Sequence, residues 1–190
     1  KKLNISIIAR DPYGVRPLFS GYTLNNELLL SSEIKAISKI SKYIIPFKPG
    51  NYTTIEQNSN NQLNFESYHN YNFTFINDDY NTIKNNIKTL LINSINKRLM
   101  SDRPIGCLLS GGLDSSLVSA LVAKNYEPYT LNTFSIGMKG STDLEYAKLA
   151  AQHIKSKHHS VELSVQDFLN AIEETIYMTE TYDITTIRAS

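Results

Sequence analysis

Two adjacent glycines constrain this chain more than any other feature. Gly111-Gly112 follow the apolar run Ile105-Gly106-Cys107-Leu108-Leu109-Ser110 and precede Leu113-Asp114-Ser115-Ser116 and the apolar stretch Leu117–Ala123. The first run reads as a strand buried on both faces, and the second as a helix. Two glycines between them let the backbone turn sharply and approach a ligand closely. The N–H groups of residues 111–116 then lack helical partners and converge on one point, which suits an anion. Hydrogen bonds to a charged group contribute about 1.5–3 kcal/mol each, whereas a helix dipole adds about 0.3–1 kcal/mol. The cradle of donors would do most of the holding.

A loop of the G-x-x-x-x-G-K-[ST] kind would carry a lysine to the terminal phosphates. Here no lysine follows the glycines until Lys124. The stretch offers instead the hydroxyls of Ser110, Ser115 and Ser116 and one carboxylate, Asp114. A carboxylate facing phosphates repels them unless a hard cation lies between, so Asp114 points to Mg²⁺. The plain alternative is a Ser/Gly turn with an ordinary acidic residue in the first helical turn.

Ser110–Ser116 resembles the SGGxDS loop of the ATP pyrophosphatase superfamily, and within it the glutamine-hydrolysing asparagine synthetases. The resemblance implies cleavage of ATP to AMP and pyrophosphate while a substrate is adenylated. It assigns Ser110, Gly111, Gly112, Asp114, Ser115 and Ser116 to ATP, with Asp114 meeting Mg²⁺ through the pyrophosphate. It also places Leu108 and Ile136 against adenosine. On residue type alone, both are plain core positions.

Other properties bound the function. A net charge of +1 over 190 residues, with no basic block, argues against a nucleic-acid partner. No apolar run approaches the roughly 18 residues that span a bilayer. The single Cys107 forms no internal disulfide framework and suits a reducing compartment, so a cytoplasmic location is expected. Inside an apolar run it reads as a core residue in preference to a nucleophile. The chain opens in a strand-like run without an initiator Met and closes inside a motif, which reads as an internal fragment.

Residues 1–75 read as antiparallel β structure. Strands are expected at 3–9, 27–31, 50–55 and 63–75, with Val15–Phe19 extended and a short helix from Ser32. Arg10-Asp11-x-x-Gly14-x-x-Pro17-Leu18 and Ser31-Ser32-Glu33-x-Lys35-Ala36 resemble the closing third of a class II glutamine amidotransferase domain, of the Ntn type. That family's catalytic Cys is the first residue of its mature chain, and none stands at position 1 here, so no glutaminase residue is assigned. Arg10, Asp11 and Glu33 read as structural, through turn and strand-end salt bridges.

Residues 76–190 form the second expected domain. Asp79 leads a helix with the apolar stripe Ile83, Ile87, Leu90, Leu91, Ile95, Leu99. After the loop helix come a strand at 129–136 and a helix opened by the Thr142–Glu145 capping box, burying Tyr146, Ala147, Ala150, Ala151 and Ile154. A strand at 159–163 and a helix capped at Ser164–Asp167 follow. Alternation of this kind implies right-handed crossovers and an α/β, doubly wound parallel sheet, with ligands beyond the carboxyl ends of the strands. The adjacent His158-His159 point to opposite faces of a strand and lack a third ligand nearby, so they read as no metal site.

Glu180–Ser190 closes the chain with Thr185, Thr186 and Arg188, a set that suits a small carboxylate and equally a helix end with an exposed arginine. The string resembles the ETYDxTTxRAS stretch of asparagine synthetases, which implies roles for all three in aspartate binding and the acyl-adenylate step. The resemblance further implies aspartate, glutamine and ATP as small-molecule substrates, ammonia from glutamine displacing AMP from β-aspartyl-AMP, and a second SGEGxDE loop beyond residue 190. By that reading this piece alone is inactive. A homodimer is left open. A β-lactam synthetase-like ligase, a non-catalytic nucleotide-binding homologue and a synthetase using free ammonia only are the rival readings.

Overall fold

The computed structural model describes residues 5–56 and 63–189. The chain divides into two compact units, one comprising 1–75 with 175–190 and the other 76–174. The loop expected between the strands near 55 and 63 lies largely outside the described residues.

The first unit holds two three-stranded antiparallel sheets. One has the order β1 (Ile5–Ala9), β5 (Asn51–Glu56), β6 (Glu66–Ser67); the other runs β3 (Leu28–Ser31), β2 (Phe19–Tyr22), β4 (Tyr43–Pro46). Ile8 pairs with Thr53 across the first sheet and Ser20 with Ile45 across the second. Phe47 is fully buried and meets Phe65 edge-on, with ring centroids 4.8 Å apart. Residues 32–40 form bends and hydrogen-bonded turns where a short helix was expected, although Ser31 Oγ accepts from the Glu33 N–H as the cap of a helix would. The long strand expected over 63–75 shrinks to β6. Among the described residues Arg10 makes no salt bridge. Its guanidinium donates to the carbonyls of Arg16 (2.9 Å), Phe47 (2.7 Å) and Gly14 (3.1 Å), while Asp11 accepts from the N–H of Val15 and Arg16. Glu33 does pair as expected, with Lys35 at 3.3 Å.

The second unit is α/β. Its parallel sheet has the order β7 (Gly106–Leu108), β8 (Asn132–Met138), β9 (Lys157–Leu163), with α1 (Tyr80–Arg98), α2 (Leu113–Ala123) and α3 (Thr142–His153) between and before the strands. α4 (Val165–Thr179) follows β9, and its last turn already groups with the first unit. The helices start where their sequences permit. Asp79 caps α1 by accepting from Asn81 and Thr82, and Ser164 and Asp167 cap α4 reciprocally at 3.0 and 3.1 Å. The N-cap of α3 is Ser141, one residue before the expected start, and it makes no side-chain capping bond.

Strand alternation sorts the sheet into two unlike faces. Cys107, Thr133 and Ser135 are buried on the face where Ile95, Val122, Ala147 and Ala151 pack. Leu108 and Phe134, paired in register, lie on the other face with Ile136 and Val161, and all four are exposed. β7 is therefore not buried on both faces as its apolar run suggested: Leu108 is 83% exposed. Two further expectations of burial are corrected, in α1 and α3. Ile87 and Leu90 of α1 are exposed because the helix packs through Leu91, Ile95 and Leu99 near its end. Tyr146 is 60% exposed, while its neighbour Ala147, one residue round the helix, faces the core. No residue of α4 is fully buried, Leu169 being exposed.

Candidate functional site

The sharp bend after β7 is built as its sequence demands. Leu109 donates its N–H to the Phe134 carbonyl at 2.7 Å, which extends the sheet pairing by one residue. Gly111 takes a φ of 80°, a region open to glycine and costly for other residues. Gly112, at φ −69° and ψ 165°, is the N-cap of α2. The helix thus begins at Leu113, four residues earlier than the apolar stretch suggested, and Ser116 N–H already bonds to the Gly112 carbonyl at 3.0 Å. The amide cradle shortens accordingly. Among the described residues, the N–H groups of 111–115 donate to no other protein group.

The loop's hydroxyls divide by role. Ser115 Oγ accepts from Ser110 N–H (3.3 Å), lies 2.9 Å from Ser110 Oγ and donates to the Gly112 carbonyl at 3.2 Å. It staples the two ends of the bend together. The carboxylate of Asp114 is exposed and has no ion pair or hydrogen bond among the described residues. It borders a cleft of about 420 Å³ enclosed by α1, α2 and β7. Among the described residues no three His, Cys, Asp or Glu side chains cluster as a metal site. One free carboxylate beside open amides is the donor set expected where Mg²⁺ arrives on phosphates, since this ion is held by one or two carboxylates together with substrate oxygens.

Leu108 ends β7, and Ile136 lies two residues past the Phe134 that pairs with it. Both project from the same open face, with Ile136 65% exposed, so two apolar side chains stand near the carboxyl ends of neighbouring strands. Their exposure is what distinguishes them from the core positions that their residue types suggested. The structure thus brings Leu108, Ser110–Ser116 and Ile136 into one unit.

Thr185, Thr186 and Arg188 lie on α5 (Ile184–Ala189), which belongs to the first unit, not to the unit that holds the loop. Asp183 caps this helix, accepting from Thr186 N–H at 3.0 Å and Thr186 Oγ1 at 3.2 Å. The side chain of Arg188 lies outside what is described. Just upstream stands a residue to which sequence reading assigned no role. The Glu180 carboxylate accepts from Ile34 N–H at 2.7 Å and Lys35 N–H at 2.5 Å, partners 146 and 145 positions away. Desolvation pushes its pKa up, yet the Lys35 and Ile34 amides and the Lys35 charge outweigh that and hold the carboxyl below its usual range. Contacts at that separation leave no local trace in the sequence.

The remaining chemistry-bearing residues are structural. Burial pushes the Cys107 thiol up, away from the thiolate that a nucleophile needs. His158 and His159 face opposite sides of β9. His158 lies within the polar layer, its Nδ1 3.0 Å from Thr133 Oγ1 and its Nε2 3.1 Å from Ser135 Oγ. His159 stacks on Phe134 and lies 2.9 Å from Asn132 Oδ1. No helix among the described residues is long and apolar enough to cross a membrane.

Comparison with known proteins adds a family to this geometry. Residues 86–190 match the family model described as Asparagine synthase. The glutamine-hydrolyzing asparagine synthetases of Rattus norvegicus and Homo sapiens are each 39% identical over 96% of this chain, and that of Gallus gallus is 40% identical over the same share. The chain spans 37% of the length of these relatives.

Proposed function

The chain belongs to the asparagine synthase family, and we propose that the protein it represents is an ATP-dependent ligase forming asparagine from aspartate. The observation that carries this reading is the bend at 110–116, where five open amides adjoin an unpaired Asp114. In this reading the amides of 111–115 receive the β- and γ-phosphates of ATP, and Leu108 and Ile136 flank its adenosine. Ser115 keeps the bend closed, leaving Ser110 and Ser116 hydroxyls beside the phosphates. Asp114 would hold Mg²⁺ carried by the nucleotide, which would supply positive charge against the departing pyrophosphate. The amide cradle is preformed, so stabilising that charge needs no rearrangement of the loop.

Thr185, Thr186 and Arg188 bind aspartate and the acyl-adenylate. The β-carboxylate attacks the α-phosphorus, pyrophosphate leaves, and ammonia then displaces AMP from β-aspartyl-AMP. Adenylation turns a poor electrophile into one with a good leaving group. Residues 1–75 belong, in the same reading, to a class II amidotransferase domain that releases the ammonia from glutamine, and 76–190 to the synthetase domain. The order β7-β8-β9 is unreversed, but among the described residues β7 has no partner on its outer edge. A further strand added there would create the reversal of a doubly wound, pyrophosphate-loop sheet, with the bend at its switch point. A cytoplasmic location accompanies this assignment.

The full-length protein supplied with ATP, aspartate and ammonium should release AMP and pyrophosphate in equal amounts, only when aspartate is present. Asp114→Asn should lower that rate by about a hundredfold or more. Release of ADP, or AMP formation that follows larger carboxylates and ignores aspartate, would overturn the assignment.

A further inference from the structure

The junction between α4 and α5 is held in a way that a simple connector does not require. Glu180 has a φ of 55° and donates its N–H to the Ile176 carbonyl at 2.9 Å, the left-handed helix ending at which glycine is the usual residue. A glutamate here bears a backbone cost that glycine would not, and its side chain makes contacts that glycine could not. That side chain reaches back to the turn after β3 and accepts both the Ile34 and the Lys35 N–H groups. Lys35 completes the clamp: its Nζ lies 3.9 Å from Glu180 Oε1, donates to the Met178 carbonyl at 3.3 Å and sits 5.5 Å from the centre of the Tyr177 ring. Three residues on, Asp183 N–H donates to Thr181 Oγ1 at 3.1 Å while its carboxylate caps α5. A continuous series of fixed points therefore runs from residues 34–35 to the helix that carries Thr185, Thr186 and Arg188.

We infer that Glu180 is a positioning residue for the aspartate-handling helix, acting by clamping the end of α4 to the turn at Ile34-Lys35. The inference rests on the role proposed above for Thr185, Thr186 and Arg188. Glu180 touches no substrate in this scheme; it sets where α5 begins. A bidentate carboxylate on two adjacent amides fixes direction as well as distance, as a single hydrogen bond does not. Displacement of a binding helix by an ångström is enough to cost a large factor in rate.

The test uses full-length enzyme with Glu180→Gly and Glu180→Gln. Glycine relieves the left-handed backbone while deleting the clamp, so E180G is expected to unfold near the wild-type temperature. Its KM for aspartate should nevertheless rise about tenfold with KM for ATP unchanged, because the phosphate loop belongs to the other unit. Glutamine keeps an acceptor oxygen, and E180Q should recover much of the aspartate KM. Amide hydrogen exchange at Ile34 and Lys35 should quicken in E180G, an effect read without turnover. A wild-type aspartate KM in E180G, equal rises in both KM values, or unchanged exchange at 34–35 would overturn the clamp. Failure of the wild-type enzyme to release AMP with aspartate would overturn the functional reading itself, and the clamp with it.

Discussion

Gly111 and Gly112 are neighbours in one bend, yet the structure assigns them unequal burdens. A Cβ built on Gly111 would stand 2.5 Å from the Ala147 backbone nitrogen and 2.6 Å from the carbonyl carbon and Cβ of Tyr146. These are atoms of α3, anchored by the buried Ala147 and Ala151, and no rotamer change moves them. Gly111→Ala therefore incurs two costs. The left-handed backbone costs an L-residue about 1–2 kcal/mol, and forced overpacking costs about 1–3 kcal/mol. Together they reach about 2–5 kcal/mol, which for a unit of this size lowers the unfolding temperature by about 10 °C or more. Gly112→Ala is the matched control, since its nearest foreign atom is Ser110 Oγ at 3.5 Å. Alanine is a poorer N-cap than glycine, but it removes about 0.4–1 kcal/mol of unfolded-chain entropy. The two effects nearly cancel. Thermal unfolding followed by circular dichroism on both variants decides the matter. Equal melting temperatures for G111A and G112A would refute the packing argument and leave both glycines to the ligand alone.

Other outcomes follow from single contacts. Leu109, 1% exposed against Ala147 and Ala151, should cost about 2–5 kcal/mol when cut to alanine, measured by urea denaturation. Arg10→Lys should destabilise by about 2 kcal/mol, because an ammonium cannot serve the three carbonyls that the guanidinium fork reaches. Burial and the nearby His159 charge hold the His158 pKa down. The unfolded chain therefore binds a proton first, and the stability this residue contributes, present above its unfolded pKa of about 6.5, is lost as pH falls from there through the folded pKa. Unfolding midpoints of wild type and His158→Asn across pH 5–8 should show a steeper acid-side decline for wild type.

Much of the second unit was legible because its signals are local. A glycine pair after an apolar run announces a strand–turn–helix, Asp79 and Ser164-Asp167 announce helix starts, and alternation with helices implies parallel strands. The limits are equally physical. Tyr43–Pro46 escaped notice because a four-residue strand ending in proline has little period to detect, and its pairing with β2 is set by the partner. Leu108 and Ile136 read as core because an apolar side chain looks the same in sequence whether it packs on a helix or faces outward. The Glu180 contact spans well over a hundred residues and depends on two backbone amides, which carry no residue identity at all. The candidate phosphate loop could thus be found from its string, whereas the fixture behind α5 could only be found in three dimensions.

The hydroxyl-rich seam between β8 and β9 has a consequence for how those strands find each other. Thr133, Ser135, Ser156, His158 and Ser160 bond side chain to side chain across the pair, where aliphatic residues would pack in several alignments almost equally well. Sliding β9 by one residue would turn Ser156, His158 and Ser160 outward and bring Lys157, His159 and Val161 in, so an imidazole would remain but the buried hydroxyls of Thr133 and Ser135 would lose their Ser156 and Ser160 partners. The seam therefore acts as a molecular key: it sacrifices some greasy contact for a single permitted alignment, and with it keeps Ile136 level with the end of β7.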